Sequence, residues 1–109
     1  MGRIDFAGSV LALAHGDLGV DLKVSRWSLV KLLLQANDWC DADAVSRGGS
    51  FWLTLSAASA MWGVTRRTAI AHLRELLGAG YLEDVGRGAD RARLVRFVGS
   101  RLVMVGEGR

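Results

Sequence analysis

Thr65-Arg66-Arg67-Thr68 puts two guanidinium groups and two hydroxyls within one helical turn. At a helix N-terminus, hydroxyls and backbone amides bind phosphate oxygens, helped by the helix dipole. An arginine there takes phosphate, or the O6/N7 edge of guanine in a bidentate pair. Residues 66–79 read as that helix, with Thr65 as its cap and Gly80 as the residue that stops it. Ala69, Leu73 and Leu76 recur at i, i+4, i+7 and form its inward stripe. This leaves Arg66, Arg67, Ile70, Ala71 and Arg74 for the outer face. Ile70 suits a thymine methyl on that face, and serves equally as a core residue at the edge of the stripe. His72 lies to one side and reads as a surface or capping histidine.

A second cationic feature follows. Arg87 and Arg91 flank a glycine-rich tip at 86–91. Glycines let such a tip lie against a nucleic-acid backbone or enter a minor groove, where arginine is favoured electrostatically. A solvated hairpin in which Asp90 pairs with a neighbouring arginine is the alternative. Arg93 and Arg96, three apart on the next strand, fall on opposite faces, so at most one shares the surface of the tip. Glu83-Asp84 interrupts the positive surface and is placed to orient an arginine by an ion pair.

Other chemistries find little support. The lone Cys40 has no companion for a disulfide or a cysteine-based zinc site, and His15 and His72 are far apart. Asp38, Asp41 and Asp43 match no calcium-loop spacing. There is no Ser/His/Asp or Cys/His arrangement, no phosphate loop followed by lysine, and no paired carboxylates with a pocket signature. Gly86-Arg87-Gly88 sits between strands and does not open a helix. The expectation is no enzyme, no cofactor, no metal and no small-molecule ligand.

Several elements must hold these arginines in place. Asp5 caps a first helix through Phe6, Val10, Leu13 and Ala14, with Gly16 as its stop, and 16–24 connects onward. Ser25 caps a second helix running to about Trp39. Leu29, Val30, Leu32, Leu33, Leu34 and Ala36 cover most of its circumference, which fits a central core helix or one that also packs on a second subunit. Residues 38–50 read as a polar surface loop, and 51–54 as a short strand. Ser56 caps a helix over 57–62, and Gly63 makes the turn. Residues 81–85 and 93–98 read as strands. Gly99-Ser100 reads as a two-residue turn into a last strand at 101–105, an exposed apolar edge.

Residues 55–82, LSAASAMWGVTRRTAIAHLRELLGAGYL, resemble the helix-turn-helix of the winged-helix superfamily, which includes bacterial transcription regulators and phage or plasmid replication proteins. The matching positions are Leu55, Ala58, Trp62-Gly63-Val64, Thr65, Thr68, Leu73, Leu76, Gly80 and Leu82. The helix at 26–39 and the strand at 51–54 match the preceding elements. The resemblance implies a mainly α fold with a small β-hairpin (α+β), a winged helix-turn-helix. It implies one domain over 1–109, with an N-terminal extension (1–24), a winged-helix core (25–98) and a C-terminal strand and tail (99–109). It further implies a recognition helix in the major groove of double-stranded DNA and a wing at 86–91. The DNA-contacting residues would be Thr65, Arg66, Arg67, Thr68, Ile70, Ala71, Arg74, Arg87 and Arg91. A small transcriptional regulator, acting as a homodimer, is the leading expectation. A replication-initiation or partition protein, and a winged helix that binds proteins without touching DNA, are the alternatives.

Composition agrees with a folded, DNA-directed domain. Half of the 109 residues are hydrophobic, enough for an independent core. No apolar run reaches the roughly 18–20 residues of a membrane span, and the short apolar stretch 10–14 makes a poor signal peptide. A cytoplasmic, nucleoid-associated protein is expected. The net charge is +3, with 5 Lys/Arg and 6 Asp/Glu in residues 1–54 and 9 Arg and 5 Asp/Glu in residues 55–109. The excess lies in the second half and is all arginine, the residue suited to bidentate contacts. High-GC coding accounts for part of that bias.

Overall fold

Residues 26–38 form the helix around which the molecule is built. The computed structural model describes residues 2–89 and 92–106. In chain order the elements are β1 (Gly2–Ile4), α1 (Phe6–His15), α2 (Arg26–Asp38), α3 (Ala42–Ser46), β2 (Phe51–Leu53), α4 (Leu55–Trp62), α5 (Arg66–Gly78), β3 (Leu82–Arg87), β4 (Arg93–Phe97) and β5 (Met104–Gly106). Leu29, Val30, Leu32, Leu33 and Ala36 of α2 are buried, as a central core helix requires. Trp27, Lys31 and Leu34 form its exposed side.

Helix α1 begins where the sequence predicts. The Asp5 side chain accepts the Gly8 N–H at 3.0 Å, and Gly16, at φ +82°, ends the helix. Strands β2, β4 and β3 make one antiparallel sheet in that order, and β1 and β5 pair in a separate two-stranded ribbon. The result is an α+β fold of five helices and small antiparallel sheets among the described residues. Ile4, Phe6, Leu13, Leu22 and Leu102 join Val95, Phe97, Leu73 and Leu76 in a single core. Phe51 and Phe97 pack at 5.2 Å with their rings tilted by 39°, and Phe6 meets Phe97 edge-on at 5.9 Å. No helix among the described residues is long and apolar enough to cross a membrane.

A polar staple fastens the connection between α1 and α2. The Tyr81 hydroxyl donates to Asp21 Oδ1 at 2.7 Å and accepts the Gly19 N–H at 3.1 Å. Arg101 pairs with Asp21 and lies over the Tyr81 ring at 4.3 Å. The Tyr81 bond, with the nearby Arg101 charge, holds the Asp21 carboxyl below its usual range. Burial, reinforced by Asp21, pushes the Tyr81 phenol up.

Four expectations are corrected. Residues 38–50 are not all loop: they contain α3, held down by the buried Val45. Ser56 does not cap α4. Thr54 does, its Oγ1 accepting the Ala57 N–H at 3.0 Å, and the helix starts at Leu55. Ser25 stands at the N-cap of α2 but its side chain caps nothing there, having bonded Glu75 instead. Finally, Gly99–Arg101 is a turn of 3-10 helix and no hairpin follows it. Leu102 is buried, and β5 crosses the molecule to pair with β1, so the last strand has a partner.

Candidate functional site

The α4–α5 unit is set by local chemistry at every joint. Gly63 takes φ +67°, where a Cβ is penalised, and turns the chain. The Ser59 hydroxyl donates to the Val64 carbonyl, and the Val64 N–H returns to the Ser59 carbonyl at 3.1 Å. Thr65 then caps α5, accepting the Thr68 N–H at 3.2 Å. Ala69, Leu73 and Leu76 are buried, so the predicted stripe faces the core.

Helix α2 fixes α5 from behind. Glu75 Oε2 accepts the Lys23 N–H, and Glu75 Oε1 accepts the Val24 and Ser25 N–H groups, each at 3.0 Å. The Ser25 hydroxyl donates to the same Oε1 at 2.6 Å. A glutamate from the last turn of α5 thus ties down the segment that leads into α2. That Ser25 bond, followed by the backbone bonds, outweighs burial and holds the carboxyl at about 2. His72 Nδ1 meets Ser28 Oγ at 2.6 Å, its ring lies 5.9 Å from that of Trp62, and Trp62 Nε1 donates to the Ser28 carbonyl at 2.9 Å. His72, half-buried, is therefore a joint between helices.

Arg66, Arg67, Ala71 and Arg74 occupy the exposed side of α5, and Ile70 is half-buried beside them. Their states differ. Arg66 Nη2 donates to Ser56 Oγ at 2.7 Å, which draws it back across α4. Thr65 spends its hydroxyl proton on Thr68 Oγ1 at 3.1 Å, leaving the Thr68 proton for another acceptor. Arg67 and Arg74 make no side-chain hydrogen bond or ion pair among the described residues.

The β3–β4 hairpin supplies the second wall. Its register pairs Asp84 with Val95, then Gly86 with Leu94 and Arg87 with Arg93, so Val85 bulges out. The bulge has a consequence for charge. In a regular ladder Gly86 would oppose Arg93 and Arg87 would turn to the other face. With Val85 extruded, Arg87 stands beside Arg93 on the face that carries Val95 and Phe97. Arg87 belongs to the strand and not to the tip, which corrects the sequence reading. Arg91 lies outside the described residues. Asp84 pairs with Arg93 at 3.1 Å, while Glu83 pairs with Arg96 at 2.8 Å on the opposite face. Like charges placed directly across two strands repel. The Arg87–Arg93 pair is tolerated with Asp84 alongside, and it concentrates positive potential at that spot.

The two walls enclose a cleft of about 280 Å³. Its floor is Leu53, Leu55, Ile70 and Leu73, and its rim carries Arg74 from α5 and Arg87 and Arg93 from the hairpin. The structure thus brings Ile70, Arg74 and Arg87 together and leaves Arg66, Arg67, Thr65 and Thr68 on the first turn of α5. Sequence reasoning allowed at most one of Arg93 and Arg96 on this surface and left open which; it is Arg93. Its parity with Arg96 was the available signal, but which of the two faces the helix depends on the hairpin register. Comparison with protein-family models, with curated proteins and with solved structures returns no match for this chain.

Proposed function

We propose that this chain is a winged-helix protein that binds double-stranded DNA sequence-specifically, as a small transcriptional regulator. Helix α5 enters the major groove, and the β3–β4 hairpin is the wing that lies on the adjacent backbone. The element order supports the reading: a core helix, a short strand, two helices joined by a glycine turn, then a hairpin paired to that strand. One observation carries it. Arg67, Arg74 and Arg87 stand exposed, with no carboxylate partner among the described residues, on two elements that share one cleft. Unpaired surface arginines on a rigid scaffold suit a polyanion better than they suit the fold. Arg67 reads a base edge, Thr68 and the α5 N-terminus hold a phosphate, and Arg74 and Arg87 hold the backbone.

Fluorescence anisotropy with labelled duplexes at several salt concentrations tests this. DNA from around the protein's own gene should bind about 10³-fold more tightly than a scrambled duplex. Log affinity should fall steeply with log salt, and Arg66→Ala/Arg67→Ala should remove the margin between the two duplexes. Weak, equal binding of both, unaffected by the substitutions, would overturn DNA recognition in favour of a protein-binding module. Clustered sites at an origin would reassign the same surface to replication.

A further inference from the structure

The cleft between α5 and the hairpin joins two kinds of surface that a DNA backbone alone does not require. Leu53, Leu55, Ile70 and Leu73 give an apolar floor with no side-chain hydrogen-bond donor. Arg74, Arg87 and Arg93 crown it with three guanidiniums, offset among the described residues by the carboxylate of Asp84. A bare phosphate set on that floor would lose water without replacement. A hydrocarbon would fill the floor and leave the rim charges unanswered. A molecule with both parts answers both surfaces.

The geometry points to a ligand site for a small apolar carboxylate, its hydrocarbon part on the leucine–isoleucine floor and its carboxylate between the arginines of the rim. Guanidinium and carboxylate match in plane and spacing, which makes the pair the strong form of the charge-assisted bond. An anion lying between Arg87 and Arg93 also relieves the repulsion their register imposes. The volume of about 280 Å³ falls just below the roughly 300–1,000 Å³ of small-molecule sites, so the ligand is small. The regulatory consequence rests on the DNA reading given above. Arg74 and Arg87 belong to both surfaces, so a bound carboxylate neutralises them and competes with the duplex. A chain with no separate ligand domain among its described residues thereby acquires a sensor within its own DNA-binding face.

Isothermal titration calorimetry and ligand-observed NMR on the full chain test the site, with acetate, butanoate, octanoate, benzoate and inorganic phosphate as probes. Affinity should rise by up to about fourfold per added methylene until the floor is filled, and phosphate should bind no better than acetate. Arg87→Gln and Arg93→Gln should each weaken octanoate about tenfold, the value of one charged hydrogen bond, with melting temperature little changed. Octanoate should also displace a bound duplex. Octanoate binding that is indifferent to both substitutions would overturn the site, as would phosphate binding as tightly as octanoate, or no binding by any probe at millimolar concentration. The two readings fail separately. Probes that bind through the arginines while no duplex does would sink the DNA function and leave the ligand site standing. A duplex that binds with its full salt dependence while every probe is ignored would do the reverse.

Discussion

Arg66 and Arg67 are neighbours in sequence but not equivalents. Arg66 is held by Ser56, so a base contact by Arg66 first requires breaking that bond. Arg67 has nothing to give up among the described residues. On the DNA reading proposed above, Arg67→Ala should therefore cost more specific affinity than Arg66→Ala, about 1–3 kcal/mol for a lost base contact. Anisotropy on the cognate duplex measures both, and a larger loss from Arg66→Ala would reverse the assignment. Glu75 is the other residue whose role is unusual. Its carboxyl titrates at about 2, against an ordinary value of 4.5. The stabilisation it provides is complete above pH 4.5 and is lost as pH falls toward 2. Glu75→Gln should destabilise the protein at pH 7 by about 1–2 kcal/mol. It should also flatten the dependence of stability on pH between 4.5 and 2. Denaturant melts across that range decide it, and equal slopes for both proteins would remove Glu75 from the account.

Elements show why part of this molecule was legible in its sequence. Helices α1 and α5 carry their own punctuation, Asp5 and Gly16 for one and Thr65 and Gly80 for the other, and both lie within about a residue of where those signals place them. The stripe of Ala69, Leu73 and Leu76 needed only helical spacing. Helix α3 was hidden because five residues and one buried valine make too weak a period to read. Thr54 and Ser56 are both good caps, and nothing local chooses between them. Glu75 carries no local signal of its role, since its partners lie 50 or more positions away. The place of Arg87 beside Arg93 waited on the hairpin register, and that register depends on Val85. If Val85 is only a spacer, deleting it should leave Arg87 opposite Arg93 in a regular ladder. Circular dichroism should then show an intact fold and duplex affinity should change little. An intact fold with lost affinity would mean that the bulge itself shapes the binding surface.

At the scale of the whole molecule, α2 acts as the shared anchor. It packs on α1, carries the Ser28 bonds to α4 and α5, and is entered through a segment that Glu75 ties to α5. The surface that bears the arginines is thus held by long-range ties and does not depend on the β3–β4 hairpin alone. The ribbon of β1 and β5 is the opposite case. Gly2 pairs with Gly106 and Ile4 with Met104, so each bond closes a loop nearly as long as the chain. Closing such a loop brings little reward until the intervening core exists. The ribbon should be the last structure to form during folding and the first to open in the native state. Native-state hydrogen exchange should find the amides of β1 and β5 opening at a free energy well below that of global unfolding, with those of α2 and α5 at the top of the scale. Equal protection across all four would mean that the ribbon is part of one cooperative unit. If it does open alone, the buried faces of Ile4 and Leu102 become a transient apolar seam, and the protein's resistance to proteolysis is decided there.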